Sequence, residues 1–325
     1  MNNQPREPVA VTGERRTMTK IRIGVGYAAA RGAVHGPEAL MSYAERLEDL
    51  GIDSVWPSDH VVSRQPSLDV NLVLTFFAAR TSKLKMGPSV LTLPSRHPIH
   101  VAKTYATLDH LTGGKRRVIL GVGLGGDRRE VSALGVSTEA RGARMRESVE
   151  ILRRLFTEEK VTHEGRFYSF EDVTIDPRPA HGSLDIWLGG NSDLALKRVA
   201  RYGDGWMPSF ITPDEFADGM KRLKGFTAET GRTIDDDEAG ALIPTFVTKD
   251  EASAKRMMER FLARSPIPQS EFERRYAVGS AEAVRERVAE FVEKGCTKFI
   301  LFPIGAADLT EQADAVGRGI IPHFS

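Results

Sequence analysis

An acid and an imidazole stand side by side at Asp59 and His60, in the stretch Ser54-Val55-Trp56-Pro57-Ser58-Asp59-His60. The first residues read as a short apolar strand, and Pro57 interrupts it. The pair therefore falls where the strand runs out. A histidine, with an ordinary pKa of about 6.5, can give or take a proton near neutral pH. Neighbours on an extended chain point to opposite sides, so Asp59 and His60 can serve different partners. The plain alternative is an aspartate that caps the next segment beside a bystander histidine.

Other groups could also carry chemistry. Leu188-Gly189-Gly190-Asn191 runs from a strand into a helix. Glycines let a backbone approach a ligand, and a helix N-terminus suits a phosphate. A tight turn with Asn191 as helix cap would explain the same residues. Gly121-x-Gly123-x-x-Gly126 has the spacing of a dinucleotide fingerprint. It follows a fourth strand rather than a first and leads into the charged run Asp127 to Glu130, so room for a ligand is the better reading. His60, His97 and His100 could be imagined around a metal, but no ligand-like His or Asp follows the later strands. Helix-start and packing roles for His97 and His100, with no metal, are expected instead. His110 reads as a structural residue near a helix end. Cys296, just before the last strand, reads as a small buried residue rather than a nucleophile.

These groups need a frame. Apolar β-branched runs at 21–25, 54–57, 85–92, 117–123, 185–188, 205–208, 240–248 and 298–302 predict strands. Helical patterns fall between them, at 37–50, 68–81, 98–111, 139–156, 193–202, 213–230, 249–264 and 281–294. Such alternation implies a parallel sheet covered on both faces. Eight repeats over about 300 residues predict an α/β chain of the TIM (β/α)8-barrel type with insertions. In that architecture reactive groups collect where strands end. Asp59-His60, Ser89 to Pro94, Gly123 to Arg128, Gly189 to Asn191 and Pro208-Ser209 all stand at such ends. Residues 1–18, polar and without an apolar core, predict a disordered leader, and 19–325 one barrel domain. Segments 157–183 and 265–278 predict excursions that, with loop 61–69, shape a pocket. Phe167, Tyr168, Phe170 and Tyr276 suggest an apolar lining and hence an apolar small-molecule substrate.

Bulk properties narrow the function. The 325 residues carry a net charge of +1, which marks neither a nucleic-acid nor a membrane partner. No apolar run approaches the roughly 20 residues that span a bilayer. A single cysteine allows no internal disulfide and suits a cytoplasmic setting.

Several blocks, in order, resemble the bacterial luciferase-like family of flavin and deazaflavin oxidoreductases. They are Val55 to His60, Gly87 to Leu91, Arg96-His97-Pro98, Thr107 to Gly114, Gly121-Val122-Gly123, Ile186 to Asn191 and Gly203 to Met207. The resemblance runs from about residue 21 to residue 304 and implies a barrel binding coenzyme F420, or alternatively FMN, over its mouth. The Asp-His pair is similar to that of the F420-dependent branch. It implies that Asp59 contacts the cofactor and that catalytic His60 faces the substrate. The resemblance further implies a cis peptide at Ser89-Val90 behind the ring, cofactor contacts at Gly123, and a phosphate site at Gly189, Gly190 and Asn191. A homodimer is implied too, with a partner reductase only for an FMN enzyme. One departure stands out: some sugar-phosphate dehydrogenases of this branch carry an acid where this chain has Gly126. No matching basic set for a sugar phosphate is present, which argues against glucose 6-phosphate. The expectation is hydride transfer between the deazaflavin C5 and a small organic substrate. Rival readings are an FMN-dependent monooxygenase, a cofactor-binding protein without turnover, and a metal-dependent hydrolase.

Overall fold

The computed structural model describes residues 20–28, 36–63, 66–265, 267–305 and 308–324. The leader expected at 1–18 lies outside the described residues. The alternation begins with β1 (Arg22–Tyr27), α1 (Pro37–Asp49), β2 (Ser54–Pro57) and α2 (Val70–Arg80). β3 (Lys85–Met86), β4 (Leu91–Thr92), α3 (Pro98–Leu111), β5 (Ile119–Gly123) and α4 (Arg128–Ala133) follow. Next come α5 (Arg141–Thr157), β6 (Val161–Glu164), β7 (Ser169–Val173), β8 (Asp185–Gly189) and α6 (Asp193–Tyr202). Then come β9 (Gly205–Met207), α7 (Pro213–Thr230), β10 (Gly240–Val247) and α8 (Glu251–Leu262). The last elements are α9 (Gln269–Arg275), β11 (Ala277–Gly279), α10 (Ala281–Glu293), β12 (Lys298–Pro303) and α11 (Leu309–Gly319).

One sheet has the order β11-β10-β12-β1-β2-β3 and another β4-β5-β8-β9. Parallel bridges join the two, from Met86 to Val118 and from Trp206 and Ser209 to Ala239 and Leu242. The strands thus succeed one another round a ring as β1, β2, β3 with β4, β5, β8, β9, β10 and β12, and every pairing in it is parallel. This is the barrel order expected from the sequence.

The ring is filled, not hollow. Trp56, Trp187, Met207, Leu242 and Ile300 form a cluster on its inside, with the two indoles stacked at 5.9 Å between centroids. Space for Trp187 is made by Gly205, where a Cβ would stand 2.4 Å from the indole Nε1. Outside the ring the helices bury one face each. α6 shows the logic: Ser192 accepts from the Ala195 N–H to start it, and Ala195, Leu196, Val199 and Ala200 face the core. α7 starts with a capping box between Thr212 and Glu215 and ends at the left-handed Gly231. Each large buried side chain contributes roughly 1.5–3 kcal/mol, against roughly 0–1 kcal/mol for an exposed ion pair. The two apolar layers therefore dominate the stability.

Three local expectations change, and one helix is added. The strand read over 85–92 is two short strands, because the chain turns aside at Gly87 to Val90. The charged run after Gly126 is the start of a helix, α4. The excursion at 157–183 contains an antiparallel hairpin, β6 with β7. The irregular stretch at 265–278 contains α9 and β11. Cys296 is fully buried as expected, and burial pushes its thiol up to about 12.

Candidate active site

The C-terminal strand ends gather most of the predicted residues. At the end of β2 the chain leaves the sheet at Pro57, and Asp59 and His60 part company. Asp59 is 6% exposed. One carboxylate oxygen accepts from the Thr92 N–H at 2.9 Å, and the other from the Arg96 guanidinium at 2.6 Å. Such charge-assisted bonds are the stronger kind. They tie the end of β2 to β4 and to the approach of α3. The His60 side chain, by contrast, is about half exposed. The two side chains therefore have different surroundings, but strand alternation is not the cause, because β2 ends at Pro57 and both residues lie in the loop beyond it.

The peptide between Ser89 and Val90 is cis, as the resemblance implied. Ser89 is held by its N–H to the Pro57 carbonyl at 2.9 Å and by its hydroxyl to the Trp56 carbonyl at 3.2 Å. Val90 is thereby set against the ends of β5 and β8. A Cβ at Gly123 would lie 2.3 Å from Val90 Cγ2, so only glycine permits this approach. A Cβ at Gly189 would lie 3.4 Å from Val90 Cγ1, an ordinary contact distance. Val90, just before β4, therefore meets Gly123 and Gly189, the last residues of β5 and β8.

Gly190 has φ +111°, a backbone that side chains rarely adopt. Its carbonyl accepts from the Trp206 indole N–H at 2.8 Å. Asn191 does not cap α6; Ser192 does. The Asn191 amide instead donates to the Ser209 carbonyl at 2.8 Å, linking the ends of β8 and β9. Gly126 points into open space, with nothing within 4 Å of a Cβ built there.

The histidines read as structural stay apart from this centre. His97 caps α3, its ring accepting from the Ile99 N–H at 3.3 Å. It sits 6.1 Å from His100 and 5.1 Å from Tyr168, ring to ring. Burial lowers the His97 pKa, and His100 and Arg144 lower it further. No cluster of three or more His, Cys, Asp or Glu that could hold a metal occurs among the described residues. The aromatic residues proposed as pocket lining are largely used elsewhere. Tyr168 is buried beneath Arg144, whose guanidinium lies 4.9 Å over its ring. Phe167 and Phe170 pack, partly buried, against the main core. Tyr276 stacks on Phe272, 4.2 Å between centroids, in a separate cluster with Met257.

Glu130, which in the sequence is only the end of a charged run, belongs to this site. It lies in α4, is 4% exposed, and reaches the His60 loop. Its Oε1 accepts from the N–H groups of Val61 at 2.5 Å and Val62 at 3.1 Å. Its Oε2 lies 3.4 Å from His60 Nδ1. A usable signal was present: Asp127-x-x-Glu130 before Val131 has the pattern of a helix start. Asp127 does cap α4.

Parallel strands closed in a ring, with polar and glycine residues meeting at their C-terminal ends, define a (β/α)8-barrel enzyme with its site at the barrel mouth. The chain belongs to the luciferase-like monooxygenase family, whose pattern matches residues 16–277. It is 32% identical over 276 residues to the F420-dependent glucose-6-phosphate dehydrogenase of Amycolatopsis mediterranei (strain U-32), covering 82% of this chain and 80% of the relative. It is 28% identical over 256 residues to the 5,10-methylenetetrahydromethanopterin reductase of Archaeoglobus fulgidus, covering 78% of this chain and 74% of that one. Among solved structures, an F420-dependent secondary alcohol dehydrogenase in complex with an F420-acetone adduct aligns with a TM-score of 0.80. That alignment covers 94% of this chain and 99% of the other, at 20% sequence identity, and speaks to the fold.

Proposed function

We propose that this chain is a coenzyme F420-dependent oxidoreductase acting on a small organic molecule, in the cytoplasm. The observation that carries the reading is the meeting of Val90, Gly123 and Gly189 beside a divided Asp59-His60 pair. The residues fit a flat ring. At Gly189 a Cβ would occupy a niche bounded by Val90 Cγ1, the Met207 carbonyl at 3.7 Å and the Val122 carbonyl at 3.8 Å. When bound, the deazaflavin supplies hydride exchange at its C5. Val90 would back the ring, and Gly123 and Gly189 would let it approach the sheet. Gly190 and Asn191 would hold its phosphate near the start of α6. Asp59, with both oxygens already engaged, would fix Thr92 and Arg96 around the ring and offer its remaining lone pairs. His60 would give or take the substrate proton. Glucose 6-phosphate is not proposed as the substrate, because the open space at Gly126 leaves out an acid the sugar-phosphate enzymes are expected to have.

A second reading, an FMN-dependent monooxygenase using reduced flavin and oxygen, is favoured by one observation. Val90 lies against Gly123 and Gly189 with no polar side chain among these three, so such a wall would take a flat tricycle without choosing between flavin and deazaflavin. Parallel titrations with F420, FMN and NADPH, followed by absorbance and fluorescence, decide between them. F420 should bind tightest. Tighter FMN binding would move the chain to the monooxygenase reading, and binding of neither would overturn both.

A homodimer belongs to the same proposal. α2 (VNLVLTFFAAR) is apolar on nearly every side, and a helix of that kind is ordinarily buried. Val70, Val73, Leu74, Phe77 and Ala78 face the core, while Leu72 is 67% and Phe76 38% exposed, one turn apart. A second copy would cover that face.

A further inference from the structure

Glu130 is a carboxylate almost out of solvent, and burial of such a group is costly unless its oxygens are used. Oε1 is used by two backbone N–H groups, of Val61 and Val62. Oε2 faces one atom of interest, Nδ1 of His60, at 3.4 Å. An ionised carboxylate can only accept. The imidazole nitrogen that faces it must therefore carry the hydrogen, and the partner of one ring nitrogen sets the state of the other.

We infer that Glu130 is a positioning residue for His60: it selects the Nδ1–H tautomer and leaves the Nε2 lone pair to exchange the substrate's proton. The inference rests on the reading of His60 as proton donor and acceptor. In one direction a heteroatom–H bond of the substrate breaks as the Nε2–H bond forms. The ring then carries a positive charge beside the Glu130 carboxylate. In the other direction the same proton returns. The simpler role, a tether for the backbone at 61–62, uses only Oε1. It gives no reason for Oε2 to face the ring.

Glu130→Gln separates the two roles. The amide oxygen can still accept from Val61 and Val62, while the amide NH2 now donates toward Nδ1 and favours the Nε2–H tautomer. The readout is the long-range 1H–15N spectrum of histidine-labelled, cofactor-free protein at about pH 8.5, roughly two units above an ordinary histidine. The His60 signals are assigned by their loss in His60→Ala. We expect Nδ1–H in the native chain and Nε2–H in Glu130→Gln, with turnover lowered by about 10²-fold and KM little changed. An Nε2–H native tautomer overturns the inference, and this spectrum needs no variant to fold. So does an unchanged tautomer in Glu130→Gln alongside a turnover defect in His60→Ala, a result that leaves the role of His60 standing. Unchanged turnover in His60→Ala removes that role, and the inference with it.

Discussion

Asp59 has two tasks that a single substitution cannot separate. It anchors β4 through the Thr92 N–H, and it neutralises Arg96, whose side chain is only 20% exposed and whose Nε has no partner among the described residues. Removing one member of a buried pair strands the other charge, at a cost of roughly 3–5 kcal/mol. Asp59→Ala should therefore lower the urea-unfolding free energy by about 3 kcal/mol, toward the low end because Arg96 retains some solvent. Asp59→Ala combined with Arg96→Met should lose less than Asp59→Ala alone, since the stranded charge has gone. An equal or larger loss in the double variant would show that the pair is not the cause. At this scale the sequence disclosed the adjacency of Asp59 and His60, but their parting follows from contacts of the loop after β2 and not from strand alternation. The sequence could not disclose Arg96 or Glu130. Both partners reach the pair from elements that are remote along the chain, and spacing in sequence carries no record of such contacts.

Short connections between elements are held by single carboxylates. Glu48, near the end of α1, accepts from the N–H groups of Ser82, Lys83 and Leu84 and from the Ser82 hydroxyl, fastening the approach to β3. Burial alone would raise its pKa, but these donors outweigh it and bring the value down to about 2. A carboxylate depressed in the folded state contributes stability that is complete above its unfolded pKa, near 4.5. That contribution is lost as the pH falls from there toward 2. Glu48→Gln should cost about 1–2 kcal/mol at neutral pH and make the melting temperature less sensitive to acid between pH 4.5 and 2. An unaltered acid limb would mean that the clamp is not formed in solution. Elements of this size were mostly legible. The periodic segments that became α1, α3, α6 and α7 needed only local pattern and caps. The strand at 85–92 was misread as continuous, because the turn at Gly87 to Val90 follows from the packing of Val90 against Gly123. The hairpin of β6 and β7 was missed, because its strands expose much of both faces and so lack clean alternation.

The barrel order was the most legible feature of all, since eight apolar runs separated by helical patterns leave few ways to bury every strand. What covers the outside was less so. The composition of α2 announces burial, but not by what. If a second copy covers Leu72 and Phe76, the chain should sediment as a dimer at micromolar concentration, and Leu72→Asp should shift it toward monomer with its circular dichroism unchanged. A native chain that sediments as a monomer would remove the homodimer from the proposal. One property of the whole chain has a practical use. Its single cysteine lies in the core with a thiol held near 12, so thiol reagents find no ready target. A cysteine placed at Val61, which is 51% exposed and adjoins His60, would be the one reactive handle on the molecule. A fluorophore or spin label attached there would watch the loop beside the imidazole directly, with no background from the rest of the protein.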